Sequence, residues 1–232
     1  MGQLEAPEQI RTVRRDLAYL ENQGNLTRTH GGSVLSKQSV LEFAFREKEA
    51  TNAAQKQAIA RAVAESVEPG MTLSLDTGTT TLEVARAIAS IPRLTVLTSS
   101  LAIASALFGR DNIELVLLGG TARKGSPDLF GMLTEDNLKQ FLVDMAVLGA
   151  DGVTREGVYT TDVAIARVSQ AMIAGATHTV LTIDSSKFNR TAFVKVTGWK
   201  GITRVVTDAG APPSVRKWLN RSVREAVYAE VP

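Results

Sequence analysis

From about residue 55 onward, short apolar runs alternate with amphipathic stretches, and nearly every apolar run empties into a loop of small polar residues. Residues 71–75, 94–97, 113–118, 144–148, 179–183 and 205–207 read as buried strands. A helix face of Ile59, Ala60, Val63 and Val67 stops at Pro69-Gly70, and further helices are predicted over 82–89, 101–108, 163–174 and 214–219. Apolar strands without an inside–outside alternation need cover on both faces, and strands joined through helices run parallel. The pattern therefore predicts an α/β fold, a mostly parallel sheet with helices on both faces, filling residues 45–232.

Composition narrows the chemistry. Of the 232 residues 44% are hydrophobic and 22% charged, enough for a large core without a chemical staple. The absence of cysteine removes thiolate nucleophiles, thiolate zinc sites and disulfides, and two histidines leave little for a metal site. No metal and no cofactor are expected. The net charge of +2 predicts no partner by itself, and seven Phe, three Tyr and two Trp are too few for a base-stacking platform. No basic stretch leads into an apolar run at the start, and no run is long enough to span a bilayer. The reading is a soluble cytoplasmic protein with no membrane partner.

Ahead of this body, Ile10, Val13, Leu17 and Leu20 recur at steps of three and four, which predicts one amphipathic helix over 7–23. Pro7 suits its first turn and Gly24 the position past its end. Arg11, Arg14 and Arg15 fall between the apolar positions and are expected to point outward. Residues 26–29 and 33–35 flank His30-Gly31-Gly32 as a short hairpin, and 36–50 reads as a linker. A helix with exposed arginines followed by a glycine hairpin suggests a winged helix, the helix entering the major groove and the wing touching backbone. Five basic against four acidic residues in 1–37 leave an ordinary solvated face equally open.

In an open parallel sheet, ligands bind beyond the carboxyl ends of the strands. The first such loop is Asp76-Thr77-Gly78-Thr79-Thr80-Thr81 before a helix. It offers backbone N–H groups and hydroxyls to an anion, most naturally a phosphate, or else Thr79 or Thr80 merely caps the helix. It is neither a Walker loop nor a dinucleotide fingerprint. Thr98-Ser99-Ser100, Gly119-Gly120 and Asp151-Gly152 end later strands on the same face, and Lys187 follows another strand within Asp184-Ser185-Ser186-Lys187. Lys187 could contact a phosphate as a point charge, and Asp76 and Asp151 sugar hydroxyls. Without a partnered histidine or a metal cluster, no catalytic residue is assigned.

These residues resemble a known family. Thr12-Val13-Arg14-Arg15-Asp16-Leu17, Leu20-Glu21, Gly24 and Arg28-Thr29-His30-Gly31-Gly32 are similar to the second half of the DeoR-type bacterial repressor head. Phe45-Arg46-Glu47, the 76–81 loop, Thr98 to Leu101, Gly119-Gly120, Asp144, Leu148 to Gly152, Ala171-Met172-Ile173, Asp184 to Phe188 and Thr207-Asp208 resemble its sugar-phosphate effector domain. The resemblance implies a regulator, as a rule a repressor, of carbohydrate or nucleoside catabolism that binds operator DNA as a homo-oligomer, dimer or tetramer. A phosphorylated sugar releases it. It also implies a ribose-5-phosphate isomerase or CoA-transferase-like fold, normally without activity. Arg11, Thr12, Arg14, Arg15, Arg28 and His30 would be the DNA-facing residues. The family head carries two further helices before the recognition helix, so residues 1–37 are expected to form a partial head of recognition helix and wing, short of the apolar partners for stable DNA binding. Ser169-Gln170 stand where the family usually has basic residues. The rival readings are a sugar-phosphate isomerase with Asp151 or Asp76 as base, and a sensor that no longer binds DNA.

Overall fold

The computed structural model describes residues 8–22, 26–29, 32–35 and 45–232. The chain divides into two units, Met1–Lys48 with Lys124–Ser126, and Glu49–Arg123 with Pro127–Pro232.

In the first unit, helix α1 (Glu8–Asn22) precedes strands β1 (Leu26–Thr29) and β2 (Gly32–Leu35). The strands pair antiparallel, with Leu26 opposite Leu35 and Arg28 opposite Ser33. Val13 corrects one expectation: it lies on the apolar stripe yet is 56% exposed. Among the described residues, β1 packs on α1, and one strand of four residues covers only part of a helix face.

The second unit opens with α2 (Ala53–Ala64), β3 (Thr72–Leu75), α3 (Thr79–Ile88), β4 (Leu94–Thr98), α4 (Leu101–Leu107) and β5 (Ile113–Leu117). Two short strands, β6 (Thr121–Ala122) and β7 (Leu129–Phe130), lead to α5 (Met132–Leu138) and β8 (Val143–Leu148). Then come β9 (Gly152–Thr154), β10 (Gly157–Thr160), α6 (Val163–Ala174), β11 (Ala176–Thr182), β12 (Val194–Thr197), β13 (Arg204–Asp208), α7 (Pro213–Ser222) and β14 (Glu225–Ala229).

Seven strands form one parallel sheet in the order β14-β13-β11-β8-β3-β4-β5. The chain lays down β3, β4 and β5 outward in one direction, then returns to place β8 on the free side of β3. From there β11, β13 and β14 extend the other way. Right-handed crossovers then put α3 and α4 on one face and α6 and α7 on the other. Burial explains the apolar runs: Leu73, Val96, Ala146, Val147, Leu181, Val205 and Val206 have no or almost no exposure. Asp144 fastens the start of β8 to β3, its Oδ2 accepting the N–H and the hydroxyl of Thr72, each at 2.7 Å.

Several elements depart from the sequence reading. Helix α3 begins at Thr79, three residues before the expected 82, because Gly78 completes the turn and the three threonines form the first helical turn. The antiparallel sheet β12-β10-β9 and the pair β6-β7 were not expected, being strands of two to four residues, too short to show a period. Nor was α5, whose Met132 and Leu133 are exposed and whose buried contacts are only Thr134 and Leu138. The edge strand β14 is half-buried and begins on an exposed glutamate, so it lacks the run of a central strand.

Candidate functional site

The point where strand order reverses lies between β3 and β8, where the rule for open parallel sheets puts a ligand crevice beyond the strand ends. Asp76 extends the β3–β8 ladder, its N–H donating to the carbonyl of Val147 at 2.9 Å. Its side chain is 3% exposed. Oδ1 accepts the N–H of Thr77 at 2.8 Å, and Oδ2 accepts the N–H of Gly149 at 3.3 Å and the hydroxyl of Ser169 at 3.5 Å. Burial pushes the carboxyl up to about 7, with a smaller push from Asp128, while the N–H donors of Thr77 and Gly149 pull the other way. Asp76 thus ties its own loop to the loop after β8 and to helix α6, and both of its oxygens already accept hydrogen bonds.

Gly78 follows with φ +145°, a conformation that side chains rarely adopt, and serves as the N-cap of α3. The N-cap position is held by this glycine, which has no side chain to cap with, so neither Thr79 nor Thr80 is the N-cap residue of the alternative reading. Thr81 instead turns back, its hydroxyl donating to the Gly78 carbonyl at 3.0 Å. A helix N-terminus without a side-chain cap keeps its positive dipole end available to an anion.

The neighbouring loop is buried and internally bonded. Thr98, Ser99 and Ser100 are 1%, 3% and 2% exposed. The Thr98 hydroxyl donates to the Leu75 carbonyl at 2.9 Å and accepts the Ser100 N–H at 3.0 Å, and the Ser100 hydroxyl caps α4 by accepting the Ile103 N–H at 3.2 Å. Gly119 and Gly120 are packing positions: the Thr134 hydroxyl donates to the Gly119 carbonyl at 2.6 Å, and a Cβ on Gly120, at φ +157°, would lie 2.2 Å from that hydroxyl. A Cβ on Gly152 would meet the Arg190 carbonyl at 2.4 Å. Asp151 Oδ2 accepts the hydroxyl of Thr160 at 3.0 Å and the N–H and hydroxyl of Thr161 at 2.9 and 3.0 Å.

After β11, Asp184 is 2% exposed and accepts from the Asn52 side chain at 3.1 Å, from the Ser186 N–H at 3.0 Å and from the Ser186 hydroxyl. It holds a 3-10 turn that carries Lys187, braced by Asp208, which accepts the Ser185 N–H at 2.6 Å. Lys56 of α2 sits in the field of both, 5% exposed; burial lowers its pKa, Asp184 opposes that and Lys187 adds to it. Sequence reading missed Lys56 because it lies in an unremarkable Ala-Gln-Lys-Gln stretch. It also missed Arg123, whose guanidinium forms two bonds to the buried Asp128 carboxylate at 2.9 and 2.6 Å and stands 3.9 Å from Asp162, the cap of α6. Ser169 reaches Asp76, and Gln170 donates to the Val196 carbonyl at 3.0 Å, so these two positions tie α6 to the Asp76 loop and to β12. Among the described residues, no group of three or more His, Asp or Glu could hold a metal ion.

Of the DNA-facing candidates, Arg11 and Arg14 lie on α1 with Thr12 and Arg15, the last two exposed, and Arg28 lies on β1. His30 is outside the described residues.

The DeoR C-terminal sensor domain profile matches residues 51–209, and the DeoR-like helix-turn-helix profile matches residues 10–39. The chain belongs to the DeoR family. This DeoR-family chain is 35% identical to the glycerol-3-phosphate regulon repressor of Escherichia coli K12 over 90% of its own length and 82% of that protein. It is 32% identical to the transcriptional repressor CsqR of the same organism, over 94% of its length and 84% of that protein. It is a transcriptional regulator with a helix-turn-helix segment and a sensor domain. Among solved structures, ribose 5-phosphate isomerase A of Methanocaldococcus jannaschii superposes with a TM-score of 0.44 at 20% identity, covering 60% of this chain and 55% of that one. No helix among the described residues is long and apolar enough to cross a membrane.

Proposed function

We propose that this regulator is a repressor of carbohydrate or nucleoside catabolism, released from operator DNA when a phosphorylated sugar enters the crevice between β3 and β8. The observation that carries the reading is the start of α3: Gly78 delivers a helix N-terminus with no side-chain cap to the strand-order switch. The phosphate sits on the backbone of Gly78, Thr79, Thr80 and Thr81 with Thr77 beside it, and Lys187 and Lys56 supply countercharge. Asp151 lines the sugar side, and Gly152 lets the Arg190 backbone pack close behind it. Asp76, Thr98, Ser99, Ser100, Gly119 and Gly120 shape the floor and hold the loops in place. The glycerol-3-phosphate repressor, a relative named for a phosphorylated polyol, supports a ligand of this class.

Arg14 and Arg15 contact DNA phosphate, with Arg11, Thr12, Arg28 and His30 beside them. A homo-oligomer presents two heads to two half-sites, and effector favours the arrangement that no longer matches their spacing. Leu117 on edge strand β5, with Met132 and Leu133, is exposed at 46%, 77% and 59%, an apolar surface suited to a second copy. The protein acts without catalysis in this reading, since Asp76 and Asp151, the candidate bases, already accept several hydrogen bonds. Melting curves against a panel of phosphorylated and unphosphorylated sugars test it: a phosphorylated sugar raises Tm and its unphosphorylated parent does not. Aldose–ketose turnover abolished by Asp151→Ala would establish the isomerase instead.

A further inference from the structure

A cavity lies beside α7 in the sensor unit. Ser214, Lys217, Trp218 and Arg221 recur at steps of three and four along α7, so they share one helix face. That face lines a cavity of about 360 Å³, which Arg155, in the turn between β9 and β10, and Ser222 complete. The lining holds three cations and no acid. Among the described residues none of the three forms a salt bridge. Arg216, on the same helix, is different: its guanidinium donates to the carbonyls of Ala211 and Ala209 and lies 4.6 Å from the centre of the Tyr228 ring. Arg216 holds the fold together, whereas Arg155, Lys217 and Arg221 bring positive charge to one small space with no carboxylate in its lining; Glu156 feels the Arg155 charge from outside it.

The wall of that space is a fixed aromatic surface. Trp218 packs edge-on to Phe188, with ring centres 6.3 Å apart, and tilts against Trp199 at 5.3 Å. The Trp199 indole N–H donates to the carbonyls of Thr154 and Arg155 at 3.2 and 3.0 Å, tying the Arg155 turn to the same cluster. Cations that complement phosphate beside an indole that complements a flat ring are the two halves of a nucleotide site. The volume falls at the low end of small-ligand sites, roughly 300 to 1,000 Å³, and suits a mononucleotide better than a polymer.

We infer that this cavity binds a nucleoside phosphate, with the base against Trp218 and the phosphates held by Arg155, Lys217 and Arg221. This inference does not depend on the crevice reading. Lys187 of the crevice is the chain neighbour of Phe188, so the test must separate the two places.

The chain's two tryptophans are both in this cluster, which makes intrinsic fluorescence the natural readout. The titrants are AMP, ATP, ribose 5-phosphate and inorganic phosphate, excited on the red edge of the indole band at low and high salt. The expected result is saturable quenching by both nucleotides, tighter for ATP, weakened by salt, and about tenfold tighter for AMP than for ribose 5-phosphate, which lacks the base. Lys217→Ala/Arg221→Ala, at exposed positions, weakens nucleotide binding about tenfold or more while any sugar-phosphate melting shift persists. Asp76→Asn leaves nucleotide quenching in place. Absence of saturable nucleotide quenching, or undiminished quenching in the double variant, overturns the proposal. So does a double variant that loses affinity for duplex DNA and not for nucleotide, since the face would then serve a polymer.

Discussion

The Asp76 carboxylate accepts the backbone N–H of Gly149 at 3.3 Å, joining the ends of β3 and β8 across the point where the sheet reverses its order. The same carboxylate is buried and lifted from 3.8 to about 7. A carboxyl raised in the folded state holds its proton there while the unfolded chain has lost it, so stability falls as pH rises from about 4 to about 7. Asp76→Asn should flatten that fall by an amount on the order of a few kcal/mol, read as urea midpoints at pH 5 and pH 8. Identical pH slopes in the two proteins would assign the pH dependence elsewhere.

Gly78 is tested by separating stability from binding. Its φ of +145° makes Gly78→Ala strained, with a cost of about 1 kcal/mol or more. If the α3 N-terminus is the anion site, the variant stays folded and loses most of its sugar-phosphate melting shift. Full retention of the shift would move the phosphate off this loop.

Arg123 and the buried Asp128 form a two-bond ion pair, and removing one partner strands a charge in the interior. Arg123→Met should destabilise the sensor unit by about 3 kcal/mol, and Arg123→Met/Asp128→Leu should recover much of that. Additive losses in the double variant would show that the pair is not the source of the effect.

The exposed apolar residues Leu117, Met132 and Leu133 make a prediction about assembly. Leu133→Glu/Met132→Glu should shift the protein toward a smaller species in analytical ultracentrifugation, with the far-UV spectrum unchanged. An unaltered sedimentation profile would place the oligomer contact on another surface.

The head is probed by salt. Arg15, exposed on α1, is read as a phosphate contact, so Arg15→Ala should weaken operator binding and reduce the slope of log affinity against log salt by about one. A change confined to one base position, with the slope intact, would make Arg15 a base reader.

The parallel sheet was legible because its strands are buried on both faces: Leu73, Val96, Val147 and Leu181 leave continuous apolar runs that end in glycine and threonine loops. The loops of the crevice were legible for the same reason, since strand ends mark them. What those residues do was less so. Asp76 reads as an open carboxylate in sequence, and only the fold brings Gly149 and Ser169, 73 and 93 residues away, onto its oxygens. Lys56 gives no signal until α2 and β11 place it near Asp184. Gly120 and Gly152 resemble ligand-facing glycines, yet the crowding at each comes from Thr134 and Arg190. The strands β9, β10 and β12 are too short for a period to register, although they carry the turn with Arg155.

The central claim is that a phosphorylated sugar in the crevice controls the grip on DNA. The most direct measurement is the affinity of the purified chain for a fragment of its own operon's promoter, at fixed salt, with and without each of a panel of phosphorylated sugars. One of them should weaken binding by about tenfold or more, within the usual range of coupling between sites, and the same compound should raise Tm. If every sugar phosphate left both operator affinity and melting temperature unchanged, the account would be wrong.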